Sequence, residues 1–232
     1  MSGSTLAERL EAVRGRVAEA ARDAGRDPAG ITTIVVTKFH PASLVRELAA
    51  LGVRDIGENR HQEAQAKARE LADLDLRWHF VGQLQRKKAR QVRAYASVVH
   101  SVDRVELVDV LASEEASVDC FVQVNLTDDS GRGGATGDDV LRVAEAAEAA
   151  PGLRLRGLMA VAPLGEEPRR AFARVRALSA RVVADIAPTA TDLSIGMSGD
   201  FREAVLEGAT HLRIGTAITG NRPDPAYPRR DD

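Results

Sequence analysis

The 232-residue sequence has one cysteine, two tyrosines, only four lysines and almost no excess of either charge, and each scarcity excludes something. A single cysteine, Cys120, rules out a disulfide framework. Its setting in the apolar run Cys120-Phe121-Val122-Gln123-Val124 reads as a buried, inert thiol in a reducing, cytoplasmic protein. A net charge of −2 gives no steering toward nucleic acid, and the local run Gln85-Arg86-Lys87-Lys88-Ala89-Arg90 reads as a solvated helix face. No apolar run approaches the length of a membrane span, and Met1 to Leu6 lacks the basic-then-apolar pattern of a signal peptide. Also missing after the first strand is the Gly-x-Gly-x-x-Gly fingerprint of a dinucleotide fold.

What is present is an ordinary globular composition, 44% hydrophobic and 28% charged, on a chain long enough for one large domain. Leu6, Leu10, Val13 and Val17 recur at helical spacing, which predicts an opening helix ended by Gly25 and Pro28. Short β-rich runs follow at Ile31–Thr37, Val53–Gly57, Trp78–Gly82, Ser97–Ser101, Cys120–Leu126, Leu155–Met159, Asp192–Gly196 and His211–Gly215. Amphipathic stretches such as Pro41–Leu51, Arg104–Leu111, Val140–Ala150, Ala171–Ile186 and Phe201–Leu206 lie between them. Eight such units predict an α/β fold, a (β/α)8 TIM barrel over residues 1–222, with an open doubly wound sheet as the alternative. The longer stretches holding Asp129–Gly134 and Pro163–Pro168 are expected to be flexible surface, and residues 223–232 a loose tail.

Functional groups of a barrel gather at the carboxyl ends of its strands. Lys38 directly follows the run Ile34-Val35-Val36-Thr37, which puts a rare amine at the barrel mouth. In partly desolvated surroundings its charged form is penalised, and a neutral amine attacks a carbonyl to form a Schiff base. A snorkelling lysine, or one that binds phosphate through charge alone, fits the position equally well. The stretch Ile195-Gly196-Met197-Ser198-Gly199-Asp200 and the stretch Arg213-Ile214-Gly215-Thr216-Ala217 end the last two strands, where barrels often bind phosphate. Ser198 and Thr216 offer hydroxyls there and Gly215 permits close backbone approach, although the same residues are at home in turns and caps. Arg213 shares a face with Gly215 and either flanks the ligand or enters a structural ion pair. Asn59 and His79 occupy strand-end or inward positions; the alternatives are a helix cap and a hydrogen-bonded core histidine.

Taken in order, Val36-Thr37-Lys38, Gly57-Glu58-Asn59-Arg60, Trp78-His79-Phe80-Val81-Gly82, His100-Ser101-Val102-Asp103, Gly157-Leu158-Met159, Ile195-Gly196-Met197-Ser198 and Arg213-Ile214-Gly215-Thr216-Ala217 closely resemble the YggS/PROSC family of pyridoxal 5′-phosphate (PLP) binding proteins. The resemblance spans nearly the whole chain. It implies a barrel shared with the N-terminal domain of alanine racemase, a fold-type III PLP protein. It also implies that Lys38 is the Schiff-base lysine, that Ser198, Gly215 and Thr216 form the phosphate cradle beside Met197, and that Arg213 faces the pyridine nitrogen. Asn59 falls at a ligand-proximal asparagine, and His79 lies in the Trp-His-Phe signature. Thr37, Lys87, Ile195 and Thr219 depart from the family pattern, none of them at a proposed ligand.

The role the resemblance implies is vitamin B6 homeostasis: a monomeric carrier that supplies PLP to apo-enzymes, with no nucleic acid, membrane, metal or catalytic residue involved. An arginine at the ring nitrogen disfavours the protonated ring that turnover enzymes use as an electron sink. Tyr95, on a predicted helix, and Tyr227, in the tail, are poorly placed as a second base. The alternatives are a fold-type III amino-acid racemase or lyase and, last, a PLP-free isomerase acting on a sugar phosphate.

Overall fold

The computed structural model describes residues 4–129 and 131–221. Helix α1 spans Leu6–Asp23 and starts where Thr5 and Glu8 cap each other reciprocally, satisfying two otherwise orphaned N–H groups. It stops where Gly25 takes a left-handed conformation, φ 66°, that a side chain would resist. Its apolar stripe of Leu6, Leu10, Val13 and Val17 is buried, as the spacing predicts.

Eight parallel strands close into a barrel in sequence order. They are β1 (Thr32–Val36), β2 (Asp55–Glu58), β3 (Arg77–Phe80), β4 (Val98–Val102), β5 (Val118–Val124), β6 (Leu153–Ala160), β7 (Asp192–Ser194) and β8 (His211–Ile214), and β8 pairs with β1. The connecting helices are α2 (Ala42–Ala50), α3 (His61–Glu70), α4 (Ala89–Arg93), α5 (Val105–Leu111), α6 (Asp139–Ala149), α7 (Pro168–Asp185) and α8 (Phe201–Leu206), with a short α9 (Thr216–Thr219) after β8. Helix α7 carries Pro168 at its first turn and a Glu167 cap whose carboxylate accepts from the backbone N–H groups of Arg169 and Arg170.

Side chains alternate across each strand, so one set packs on the helices and the other fills the barrel. The outward set, which includes Val35, Ile56, Phe80, Val99, Leu158, Leu193 and Leu212, belongs to one large apolar core shared with the helices. Cys120 is in that core, and burial pushes its thiol up to about 12, as expected of an inert cysteine. Inside, a small apolar group of Val98, Phe121 and Met159 is surrounded by polar side chains. Most of the hydrophobic stabilisation therefore lies outside the sheet, which leaves the interior and the upper rim free to carry polar chemistry.

Three sequence expectations change. Strand β7 has only three residues, because Gly196 turns left-handed at φ 93° and ends the extended run before the predicted boundary. Tyr95 follows α4 in a turn instead of lying on the helix. The loop after β5 is internally tied: the Asn125 amide donates to the carbonyls of Asp129 and Arg132 at 2.9 and 3.1 Å. Residues 223–232 and Tyr227 lie outside the described residues. Among the described residues no helix is long and apolar enough to cross a membrane.

Candidate functional site

The carboxyl ends of the strands bring the expected groups to one rim. Strand β1 ends at Val36, and two residues on Lys38 is exposed with its Nζ 5.9 Å from the centre of the Phe39 ring. No hydrogen bond or ion pair engages the Lys38 amine among the described residues. The dehydrated surroundings expected for this amine are absent; what the fold provides is an unencumbered one. The turn that presents it is held firmly. Phe39 sits at φ 69°, an uncommon conformation for a bulky residue, its N–H donates to Glu63 Oε2 at 2.9 Å, and Arg60 lies over its ring at 4.6 Å.

Thr37, directly before Lys38, is fixed from behind. Its hydroxyl donates to Glu58 Oε1 at 2.6 Å, and Lys67 of α3 donates to the same oxygen at 2.6 Å and to the Thr37 carbonyl at 2.8 Å. All three residues are buried, and burial raises the Glu58 carboxyl despite the attraction of Lys67. The sequence singles out neither residue: Lys67, one of the charged residues scattered on α3, reads as solvated surface, and Glu58 at the end of β2 gives no local sign of a buried partner.

Strands β7 and β8 meet the rim beside β1. Gly196 accepts from the Arg213 N–H at 3.0 Å, and Asp200 closes the Met197–Asp200 loop by accepting from the Met197 N–H at 2.6 Å. The Ser198 hydroxyl accepts from the Ala217 N–H at 3.4 Å, so this loop faces the start of α9. Thr216 opens that turn and is exposed, and its leading N–H groups precede any intrahelical acceptor. A Cβ on Gly215 would stand 3.5 Å from the Val36 carbonyl oxygen, in the gap between the ends of β8 and β1. The Ser198 and Thr216 hydroxyls, the bare Gly215 backbone and the Thr216 N–H form a donor set suited to a phosphate dianion, and the residues present fit one.

Asn59 is exposed at the end of β2; Arg60, not Asn59, caps α3, so the capping alternative falls away and its amide is left for other partners. The backbone of Asn59 packs so closely on the next strand end that a Cβ on Gly82 would come within 2.1 Å of its carbonyl oxygen. Gly82→Ala is expected to displace Asn59 and to destabilise the fold by about 2 kcal/mol, read as a fall in Tm of about 5 °C.

Arg213 lies beneath the rim, buried, with no carboxylate ion-paired to it among the described residues. Nη1 donates to the Ser194 carbonyl and, at 2.8 Å, to the Ser194 hydroxyl, and Nη2 donates to the Ala160 carbonyl at 2.8 Å. Burial lowers its guanidinium to about 10, partly offset by Asp200. The ion-pair alternative is therefore replaced by neutral acceptors, and the Nε hydrogen with one Nη2 hydrogen remains for a ligand. His79 is placed deeper than the sequence reading allowed. Both ring nitrogens are already engaged, with Asp55 at 2.9 Å and His100 at 2.9 Å, so its connection to the rim is indirect.

The histidines also set the acid sensitivity of the barrel. Burial lowers His79, holds His100 well below the usual range and takes His211 to about 4. Unfolded, all three bind protons below about 6.5, whereas the folded rings stay neutral further down. Stability is therefore expected to fall as pH drops from about 6.5 toward 4, by at most about 4 kcal/mol per pH unit. Glu58 and Asp200, raised by burial, oppose this but are fewer. Urea midpoints compared at pH 7 and pH 5 check the sign, which a higher midpoint at pH 5 would reverse.

The basic run forms a turn and the start of α4, with Gln85, Arg86, Lys87 and Arg90 exposed, Lys88 half-buried and Ala89 buried; Gln85, Arg86, Lys87, Arg90 and Val110 border an open surface hollow of about 640 Å³.

Comparison with known proteins agrees with this fold. Residues 9–223 match the alanine racemase N-terminal domain. The chain is 43% identical over 226 residues to the pyridoxal phosphate homeostasis protein of Pseudomonas aeruginosa, covering 94% of this chain and 96% of that one. This chain belongs to the pyridoxal phosphate homeostasis protein family. Members from Mycobacterium leprae and Escherichia coli are 39% and 36% identical, each over 94% of this chain and 93% and 97% of their own. Among solved structures, PipY of Synechococcus elongatus with PLP bound superposes with a TM-score of 0.80 at 36% identity, covering 93% of this chain and all of that one. Alanine racemase of Corynebacterium glutamicum, 17% identical with a TM-score of 0.65, covers 95% of this chain and 63% of its own, and shares the barrel alone with this family member.

Proposed function

We propose that this chain binds pyridoxal 5′-phosphate reversibly through Lys38 and serves intracellular PLP homeostasis, handing the cofactor to apo-enzymes without turning over a substrate. The observation that carries the reading is a lysine amine, held in no hydrogen bond or ion pair among the described residues, on the same rim as the hydroxyl and backbone donors of Ser198, Gly215 and Thr216. A relative solved with PLP bound and relatives named for PLP homeostasis support it. Lys38 in its neutral form adds to the aldehyde carbon, the aldehyde oxygen leaves as water, and a Schiff base joins protein and cofactor. Ser198, Gly215 and Thr216 hold the phosphate, with Met197 beside them; Asn59 reaches the ligand from β2; Arg213 presents its spare N–H groups to the pyridine nitrogen.

When bound elsewhere in enzymes PLP supplies an electron sink, but here the group aimed at the ring is a donor-only guanidinium, which disfavours ring protonation. Tyr95 offers no second base, being turned toward His61 at 3.4 Å with a phenol raised by burial. In this reading the carrier is a cytoplasmic monomer whose partners are PLP and its transient recipients. Its test is to add PLP to purified protein, reduce with borohydride and map the modified peptide. One equivalent on Lys38 is expected, with no exchange of amino-acid Cα protons into deuterated solvent. Useful exchange rates would favour a fold-type III racemase or lyase instead.

A further inference from the structure

A line of polar side chains, buried beyond the half-exposed Asp55, runs through the barrel interior from the amino-terminal end of β2 to the site. Asp55, the first residue of β2, lies 2.9 Å from His79 Nε2; His79 Nδ1 lies 2.9 Å from His100 Nε2; His100 Nδ1 lies 2.8 Å from the Ser194 hydroxyl; and that hydroxyl lies 2.8 Å from Arg213 Nη1. The line joins side chains of β2, β3, β4, β7 and β8 and passes over β5 and β6.

The Asp55 end fixes the direction of the bonds that follow. A guanidinium only donates and an ionised carboxylate only accepts. Arg213 therefore donates to the Ser194 oxygen, which has a second lone pair, so the direction is settled from the other end. Asp55 accepts from His79 Nε2–H, a neutral His79 then accepts at Nδ1 from His100, and His100 Nδ1 is left to accept the Ser194 proton. Both rings are thus neutral Nε2–H tautomers, and no other neutral arrangement satisfies all four contacts.

We propose that His79 and His100 are positioning residues for Arg213, which they orient through the Ser194 hydroxyl by a one-directional hydrogen-bond chain anchored on Asp55 at the far end of the barrel. The inference rests on the reading that Arg213 faces the ring nitrogen of PLP. The chain is supported along its sides: Phe121 stacks on His100 with ring centres 4.6 Å apart, and His211 meets the same phenylalanine edge-on at 5.1 Å. The charged and titratable groups acting on the pair are Asp55, Arg77, Asp119, His211 and Arg213, while burial keeps both rings uncharged. With Nη1 occupied by Ser194 and one Nη2 hydrogen by the Ala160 carbonyl, only the Nε and second Nη2 hydrogens are free to face the site. Loosening the hydroxyl would free Nη1 as a competing donor and blur that presentation.

Nitrogen-15 NMR of the histidine rings in the wild-type protein, with and without PLP, reads the tautomers directly. Two Nε2–H signals at pH 7 are expected; an Nδ1–H or charged ring at either position overturns the chain. Asp55→Ala then removes the anchor at a partly exposed site remote from the ligand. A mixed tautomer signal, a displaced absorption band of bound PLP and PLP binding weakened about fivefold are expected. If the histidine signals move while the PLP band and affinity stay as in wild type, the chain is structural only and the proposal is wrong. A wild-type protein that takes up PLP but shows this uncoupled result separates that failure from failure of the function itself, in which the wild type would bind no PLP.

Discussion

Lys38→Ala will leave no borohydride-trapped PLP on the protein and no absorption band of a lysine-bound chromophore. The effect follows from scarcity and position together. The only other lysines are Lys67, which is buried and bonded to Glu58 and Thr37, and Lys87 and Lys88, which lie in the turn after β3. No neighbouring amine can take over at the rim. Ser198, Gly215, Thr216 and Arg213 remain in the variant, so PLP should still bind through its phosphate and ring, weakened by about ten- to hundredfold. Lys38→Arg sharpens the result. Arginine keeps the positive charge but cannot be deprotonated to attack a carbonyl. A lysine that served only to attract the phosphate would be replaced without loss of affinity, whereas one that forms a Schiff base would lose its adduct completely. Mass spectrometry of the reduced protein and spectral titration with PLP distinguish the two, and an adduct still formed at the same rim by either variant would show the assignment to be wrong.

The barrel and most of its rim were legible because both depend on short-range pattern. Each β-rich run begins and ends near the expected residue, and the lysine, serine, glycine and threonine that follow the runs ended up where strand ends put them. Helix α3 was not legible: in His61–Glu70 only His61, Ala64 and Lys67 are buried, so the apolar stripe that announces α1 is absent. The interior chain was hidden for a different reason. Alternation along a strand shows that His79 or His100 faces inward, but not that His100 meets a serine 94 residues away, nor that Asp55 and His100 occupy both ring nitrogens of the candidate ligand His79. The setting of Lys38 also escaped, because whether an amine at a strand end is covered or exposed depends on loops from other units. Tertiary partners, not local sequence, decide these points.

The most destabilising single change expected on this side of the barrel is Lys67→Met, which keeps an unbranched stem one atom shorter and removes the charge. Lys67 and Glu58 are 8% and 1% exposed, and their contact at 2.6 Å, together with the Thr37 hydroxyl, is what allows the Glu58 carboxylate to exist away from water. Even so, Glu58 Oε2 has no hydrogen-bond partner among the described residues. Deleting the cation strands a buried carboxylate, at a cost of about 3–5 kcal/mol, part of which Glu58 escapes by taking up a proton. Protonation gives the variant a distinctive sign. Its deficit relative to wild type should shrink as pH falls through the raised carboxyl range and grow toward neutral pH, which urea unfolding at pH 5 and pH 7.5 measures. The double change Lys67→Met with Glu58→Gln, leaving a neutral amide beside Thr37, should recover much of the loss; no recovery would mean that Lys67 matters for packing α3 rather than for the charge beneath it. Because Lys67 also binds the Thr37 carbonyl, the backbone step just before Lys38, the single variant should bind PLP more weakly even where it remains folded. Stability and ligand binding meet at this residue: the ion pair that compensates for the missing apolar stripe of α3 also sets the strand end from which the amine is presented.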